Sequence, residues 1–252
     1  MSGHSKWSTI KHKKGAADAK RGKIFTRLTR EIVMAAREGG REVDSNFRLR
    51  LAVDKARAEN MPKDNIERAI KRGLGEDKEG VTYEQITYEG YSGGGAALII
   101  ECVTENRNRT VASVRHSLSM TGGSLGETGS VGWQFTQKAY FSFPLGDKDF
   151  DEIFMIAAEG GADDVTEEEG VIEIIGAANA FKTISDMLQA SGITVDVAEL
   201  RMIPNQELEL SVSDTLKVLK AVEELEDLDD VSNVYVNVAI TDEVLAAMES
   251  SD

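Results

Sequence analysis

The 252-residue sequence contains one cysteine, three prolines and three histidines, and it has no long uninterrupted apolar run. A single thiol, Cys102, cannot form an internal disulfide and cannot build a thiolate metal cage. The apolar runs fall short of the roughly 20 residues that span a bilayer. The basic start also lacks the apolar segment of a secretory signal. These absences favour a globular cytoplasmic protein that has no membrane partner.

Patterns typical of catalytic and metal sites are also scarce. His4, His12 and His116 are not spaced as metal ligands, and no histidine is placed to activate a nucleophile. The glycine-rich segments 93–95 and 122–129 lack the Lys-Ser/Thr pair of a phosphate-binding loop. We therefore predict a protein that is not an enzyme, with no catalytic residue, no cofactor, no metal and no small-molecule substrate.

Positive charge is concentrated at one end of the chain. Residues 1–72 contain 19 Lys or Arg against 9 Asp or Glu, a net charge of +10, whereas residues 73–252 contain 10 against 35, a net charge of −25. Solubility does not require this separation, so it indicates a polyanionic partner, and nucleic acid is the usual one. The acidic remainder would set orientation or dock a basic protein. We interpret its densest stretch, 223–230, as a solvated helix end.

The basic segment begins with an arm, residues 2–14, and continues into a predicted helix over about 16–37. In that helix, apolar residues such as Leu28 and Ile32 share one face, and the cations cluster on nearly the opposite face. Trp7 would either stack on a base or pin the arm to the helical domain. The predicted nucleic-acid contacts are Lys6, Trp7, Lys11, His12, Lys13, Lys14, Lys20, Arg21, Lys23, Arg27 and Arg30.

A second group of cations lies in the acidic part of the chain, at the start of a helix predicted over 106–120. Asn106 suits the capping position there, whereas cations oppose the helix dipole at this end. Either a second anion contact or a structural set of bonds to the adjoining loops explains the group. Its members are Arg107, Arg109 and Arg115.

The order of helical and strand patterns predicts an α+β fold with three domains. Residues 1–75 form a basic three-helix, nucleic-acid-binding domain. Two ferredoxin-like-type α/β domains follow. The first comprises residues 81–137 plus 205–242 and includes a strand over 130–136. The second, residues 138–204, reads as βαββαβ, the split βαβ arrangement, and is inserted into the first.

Several motifs at matching spacings resemble one family. GHSKW, IKHKK, DAKRGKIFT, NFRLR, NMPKDNIERAIKRG, YEGY, NRNRTVASVRH and GGSLGETGSV follow one another as in the YebC/PmpR family. The resemblance covers most of the chain and is densest in the first 135 residues. Two departures are the segment 91–94, where a GPGG-like turn is usual, and the segment 42–44, where a Gly-Asp-Pro-like segment is common. Neither departure removes a charge from the arm.

The resemblance implies a three-domain α/β protein with a helical N-terminal domain. Bacterial members of the family are described as DNA-binding transcriptional regulators. Others are described as ribosome-associated factors that relieve stalling on proline-rich stretches, and mitochondrial relatives are translational activators. We therefore expect a DNA-binding transcriptional regulator. The alternative is a translation factor that binds the ribosome through ribosomal RNA or tRNA. A third reading is an interaction protein whose acidic lobes bind a basic partner.

Overall fold

The computed structural model describes residues 17–43, 45–76 and 83–249. Its helices are α1 (Ala17–Gly39), α2 (Phe47–Ala58), α3 (Lys63–Gly73), α4 (Arg107–Met120), α5 (Phe150–Glu159), α6 (Phe181–Ala190), α7 (Val212–Glu226) and α8 (Asp242–Glu249). Its strands are β1 (Glu84–Tyr91), β2 (Ala97–Thr104), β3 (Ser124–Leu125), β4 (Phe135–Pro144), β5 (Ala162–Glu168), β6 (Val171–Ala177), β7 (Val197–Pro204) and β8 (Val231–Val236). N-terminal helices followed by two antiparallel sheets confirm the predicted α+β class.

The chain divides into two compact units. The first unit comprises Met1–Gln134 and Gln206–Asp252, and the second comprises Phe135–Asn205. The helices α1 to α3 and the first sheet therefore belong to one unit. In the described ranges, no helix combines the length and the apolar character needed to cross a membrane.

A small apolar core holds α1, α2 and α3 together. Leu28 and Ile32 of α1 pack with Leu49 of α2 and Ile66 of α3, and all four side chains are buried. A Cβ at Gly73 would lie 2.4 Å from the backbone oxygen of Val33. Only glycine therefore fits where the end of α3 meets α1.

Asn46 joins α1 to α2 through both ends of its side-chain amide. Its Oδ1 accepts from the backbone N–H of Leu49 and caps α2, and its Nδ2 donates to the carbonyls of Ala35 and Gly40 at 2.8 Å each. Asn46 is 6% exposed. One buried side chain thus caps the start of α2 and ties it to the end of α1.

The first sheet has the strand order β3-β1-β2-β8, and all of its neighbours are antiparallel. Alternate side chains of β2, such as Leu98 and Ile100, are fully buried and form a core with Val114 of α4 and Val222 of α7. Cys102 lies in the same core, where burial raises the pKa of its thiol to about 12. The thiol is therefore an inert packing group at neutral pH.

Residues 130–136 do not form the predicted third strand of this sheet. A short 3-10 turn occupies Gly132–Gln134, and β4 begins only at Phe135, in the other sheet. The reason is Glu89 on β1, whose carboxylate accepts three backbone N–H groups of the segment, from Gly129, Val131 and Gly132. Donors held by a side chain are unavailable to a strand ladder.

The apolar pattern that begins at Val231 continues to Ile240, but β8 ends at Val236. At the next residue, Asn237, the side-chain Oδ1 accepts from the N–H of Ala97 at 2.8 Å, while the backbone carbonyl accepts from Leu208 instead. The chain then adds α8, which the sequence patterns did not predict.

The second unit has the strand order β5-β6-β4-β7, again antiparallel throughout. The parallel strands β4 and β5 are separated in the sheet by β6, and the parallel strands β6 and β7 are separated by β4. This is the ferredoxin-like arrangement expected from the sequence. The core includes Phe141 of β4, which stacks on Phe181 of α6 with ring centroids 4.8 Å apart. Ile153 of α5 and Ile184 of α6 are buried as well.

A buried polar pair sits in the sheet of the second unit. Tyr140 of β4 donates its hydroxyl proton to Glu173 of β6 at 2.9 Å, and the guanidinium of Arg201 lies 3.6 Å from the centre of the Tyr140 ring. Glu173 is 8% exposed. Burial raises the pKa of its carboxyl, although the Tyr140 hydrogen bond and the Arg201 charge oppose the rise.

We predict that Glu173→Gln leaves the free energy of unfolding at pH 7 unchanged or raises it by up to about 1 kcal/mol, because the amide keeps an acceptor for Tyr140 and removes a buried charge. A carboxyl whose pKa is raised by folding stabilises the protein as pH falls through that pKa, so the wild type should gain this increment on acidification and the variant should not. Denaturant unfolding and amide exchange of β6 across pH 4 to 7 measure this. Glu159→Gln, which changes an exposed side chain at the end of α5, is the control. A variant clearly less stable at pH 7 would contradict the prediction.

Candidate nucleic-acid interface

The structure describes only part of the predicted contact set. The arm positions Lys6, Trp7, Lys11, His12, Lys13 and Lys14 lie outside the described residues, as do the side chains of Lys20 and Arg21. Among the remaining three, Lys23 is exposed, Arg27 is partly buried and Arg30 is 7% exposed. The basic face of α1 therefore passes from solvent at its start to a buried contact at its middle.

Arg30 meets Asp230, which lies between α7 and β8. Nη2 of Arg30 is 2.9 Å from Oδ1 of Asp230, and each side chain is 9% exposed. Nη1 of Arg30 donates to the backbone carbonyl of Asp229, and the guanidinium lies 5.7 Å from the ring centre of Tyr83. This cation, predicted as a phosphate contact, thus has protein partners on several sides.

The same carboxylate is shared with α4. Arg109 donates to both oxygens of Asp230 at 3.1 Å, and the hydroxyl of Thr110 donates to Oδ2 at 2.7 Å. The backbone holds Asp230 in place as well, because its carbonyl accepts from the N–H of Val103 on β2 at 2.8 Å. Asp230 is therefore where α1, α4 and the first sheet meet.

The surroundings of Arg109 favour its charged form. The hydrogen bonds that Arg109 donates to the Asp230 carboxylate, together with the negative charges of Asp230 and Glu105, raise the pKa of the Arg109 guanidinium. Arg109 is also 3.6 Å from Glu105. Two arginines and a threonine hydroxyl satisfy one buried carboxylate, which compensates its desolvation.

Lys23 extends the contact toward the start of α1. Its Nζ donates to the backbone carbonyl of Asp227 at 3.0 Å and lies 3.9 Å from the Asp227 carboxylate. Both side chains are largely exposed, so this pair is weak and solvent-screened. The stretch 223–230, interpreted from sequence as a solvated helix end, instead supplies two carboxylate partners for α1, Asp227 and the buried Asp230, and the backbone carbonyl of Asp229.

An open cleft of about 470 Å³ adjoins these residues. Lys23, Arg109 and Ser113 line it together with the acidic side chains of Glu105 and Asp227. Since both cations and carboxylates line it, the cleft presents no single sign of charge to a ligand.

The three arginines of α4 have different surroundings. Arg109 is committed to Asp230, as described above. Arg107 is exposed and lies beside Tyr88. Burial raises the pKa of the Tyr88 hydroxyl, and the charge of Arg107 partly offsets this rise. Arg115 is exposed further along the helix. The group therefore divides into one structural arginine and two that face solvent.

Many cations of α1 to α3 have acidic partners within the same three helices or their flanks. The ion pairs are Arg41 with Glu76, Arg48 with Glu38, Arg57 with Asp54, and Lys63 with Glu67. These pairs are exposed, so each adds little stability, but they reduce the positive field of the helices. The surplus charge of residues 1–72 is correspondingly concentrated in the arm and the first turns of α1.

Glu89 organises a second feature, the loop 126–133. Its Oε1 accepts from Gly129, and its Oε2 accepts from Val131 and Gly132, at 2.7 Å each. Burial raises the pKa of this carboxyl, but the three N–H donors outweigh it and the net shift is downward. The loop presents Trp133, which is 74% exposed. YEGY and GGSLGETGSV are separate motifs in the sequence. In the structure, the Glu89 carboxylate of the first motif binds backbone N–H groups of the second.

No group of three or more His, Cys, Asp or Glu side chains among the described residues is arranged to hold a metal ion.

Comparison with known proteins shows that the N-terminal helices and the two sheets match domains of one protein family. Residues 5–76 match the N-terminal domain of the TACO1/YebC proteins, and residues 83–238 match their second and third domain. A protein of Syntrophotalea carbinolica named "Probable transcriptional regulatory protein" is 52% identical over 246 residues, which cover 98% of both chains. A relative of the same name in Geobacter sp. strain M21 is 50% identical over 248 residues, covering 98% of this chain and 100% of the relative.

A solved structure is also similar. The crystal structure of a conserved hypothetical protein from Aquifex aeolicus matches with a TM-score of 0.82 and 38% sequence identity, over 91% of this chain and 95% of that one. The likeness supports the arrangement of helices followed by two antiparallel sheets.

We predict that Asp230→Ala lowers the free energy of unfolding by about 3–5 kcal/mol, because it leaves Arg30 buried without its counter-charge and removes a partner of Arg109. Chemical denaturation measures the loss, and amide exchange in α1 should accelerate. Asp229→Ala is the matched control, since Asp229 contributes its backbone carbonyl while its side chain is exposed. Equal stability of the two variants would refute the role of the shared carboxylate.

We predict that Glu89→Gln lowers the free energy of unfolding by about 1–3 kcal/mol, because an amide has one oxygen and turns its NH₂ toward a backbone donor. A carboxyl whose pKa is lowered by folding stabilises the protein at pH values above its unfolded-state pKa. That stabilisation is lost as the pH falls through the pKa of the folded state. The variant should therefore differ least from the wild type in acid. Amide exchange of Gly129, Val131 and Gly132 is the direct measurement. Glu84→Gln, exposed on the same strand, should leave these amides protected.

Proposed function

The chain belongs to the TACO1/YebC family, and from that membership we propose that it is a nucleic-acid-binding regulator of gene expression that contacts DNA through its basic N-terminus. The name of its relatives, "Probable transcriptional regulatory protein", supports a regulatory role. The observation that carries the nucleic-acid part of the proposal is the charge separation, +10 over residues 1–72 against −25 over the remainder.

In this proposal the arm and the first turns of α1 neutralise phosphates. The contact residues are Lys6, Trp7, Lys11, His12, Lys13, Lys14, Lys20, Arg21, Lys23 and Arg27. Arg30 acts differently: because it is buried against Asp230, it fixes the position of α1 rather than touching phosphate. Arg107 and Arg115, exposed on α4, are a second anion contact.

Phosphate contacts position a protein on a duplex but carry little sequence information. We therefore expect the arm to supply affinity for any DNA sequence. The acidic body would repel the same phosphates, so only one end of the protein would approach the nucleic acid.

A second candidate is a ribosome-associated translation factor that binds ribosomal RNA or tRNA. The same cations serve either nucleic acid. Trp7 favours RNA to some degree, because an aromatic ring among lysines stacks on unpaired bases, which folded RNA exposes in its loops. Cosedimentation with ribosomes, compared with retention on duplex DNA, distinguishes the two candidates.

We predict that binding to a labelled DNA duplex weakens with salt at a log–log slope of about −5 if roughly six phosphates are neutralised. Replacing Lys11, Lys13 and Lys14 together by Glu should flatten the slope by about 3 and lower affinity roughly 100-fold near 0.1 M salt. Fluorescence anisotropy across a salt series measures both quantities.

The matched control changes three exposed lysines of the acidic part, Lys148, Lys182 and Lys220, to Glu. It alters net charge by the same amount and should leave DNA affinity within about twofold. Equal losses in the two triple variants would mean that overall charge, and not the arm, governs binding. A slope near zero for the wild type would refute the proposal outright.

A further inference from the structure

Helix α5 presents an apolar strip to solvent. Met155 is 67% exposed and Phe154 is 44% exposed. The half-buried ring of Phe150, one turn earlier, lies 6.3 Å from that of Phe154. Ile153 and Ala157, three and seven positions after Phe150 and on the same side of the helix, are fully buried in the unit's core. Folding of the unit therefore buries one side of α5 and leaves two large apolar side chains exposed, Phe154 at the edge of that side and Met155 on the far side.

The surroundings of this strip are acidic. Residues 135–205 contain 14 Asp or Glu against 4 Lys or Arg, a net charge of −10. Asp151 and Glu152 suit the first turn of α5, where carboxylates complement the helix dipole. Glu159 in the last turn opposes the dipole, so helix stability does not account for it. The neighbouring strand β5, against which α5 packs, adds exposed acids such as Asp164 and Glu167.

We propose that this face of α5 is a docking surface for a protein segment that carries Lys or Arg beside apolar side chains. Large exposed apolar residues rimmed by charge mark interaction sites more often than free surface. Aromatic and methionine side chains supply the buried anchors of such contacts, and the rim charge selects the partner.

The negative charge around these apolar side chains argues against nucleic acid and anionic membranes as partners. A nucleic acid or an anionic membrane surface would be repelled by ten surplus negative charges. A basic segment gains attraction during approach and then buries Phe154 and Met155. This surface therefore binds protein, whereas the N-terminal arm binds nucleic acid, and the two contacts use opposite charges.

The test uses the full chain and a labelled synthetic amphipathic helix of about 18 residues, with Lys and Arg on one side and Leu on the other. Affinity is measured by fluorescence anisotropy near 0.15 M salt. Changing Phe154 and Met155 together to Ser should weaken binding at least tenfold, because two anchors are lost while the charge is unchanged. Met155→Lys should weaken binding at least as much, through repulsion of the basic peptide.

The matched control changes two exposed apolar residues elsewhere, Met120 (70% exposed) and Leu200 (42% exposed), to Ser. It should bind the peptide within about twofold of the wild type. All variants replace exposed side chains, so thermal melts should coincide.

Three results would overturn the proposal. Wild-type affinity in the α5 variants would show that acidic charge alone attracts the peptide. Equal binding of a peptide with the same composition in scrambled order would show the same. Self-association of the wild type in sedimentation equilibrium, lost in the α5 double variant, would assign this face to a second copy of the chain.

Discussion

The buried carboxylate of Asp230 is the group on which the first unit depends. It receives Arg30 from α1 together with Arg109 and Thr110 from α4, and its own backbone carbonyl is bonded to β2. A buried ion pair of this kind adds little net stability over an apolar contact, but breaking it leaves a charge without compensation. Its effect is therefore on geometry: it places α1 against α4 and the first sheet.

That placement determines where the positive charge of the protein is available. Arg30 and, more weakly, Lys23 are engaged by the loop after α7, and several other cations of the helices have acidic partners. The surplus over residues 1–72 thus lies toward the arm and the start of α1. In our two proposals, this positive end of the sequence binds nucleic acid and the acidic apolar face of α5 binds a basic protein segment.

Local backbone patterns and side-chain bonds compete in two places, and the side chains prevail. Residues 130–136 read as a strand, yet Glu89 takes the N–H groups that a ladder would need. Asn237 similarly ends β8 earlier than its apolar pattern suggests, by offering its amide in place of the backbone. Both hydrogen-bond sets join residues that are far apart in sequence, so periodicity could not reveal them.

The sequence by itself determined most of the helices, the alternation of elements in the second unit and the separation of charge, because these follow from periodicities of a few residues and from simple counts. It also contained Arg30, Arg109 and the acids of 223–230, but not their pairing. Only the tertiary structure decided which cations are buried and which face solvent, because Arg30 meets a carboxylate 200 positions away. The charge of each residue follows from its identity alone, whereas its ion-pair partner depends on which opposite charge the fold brings next to it.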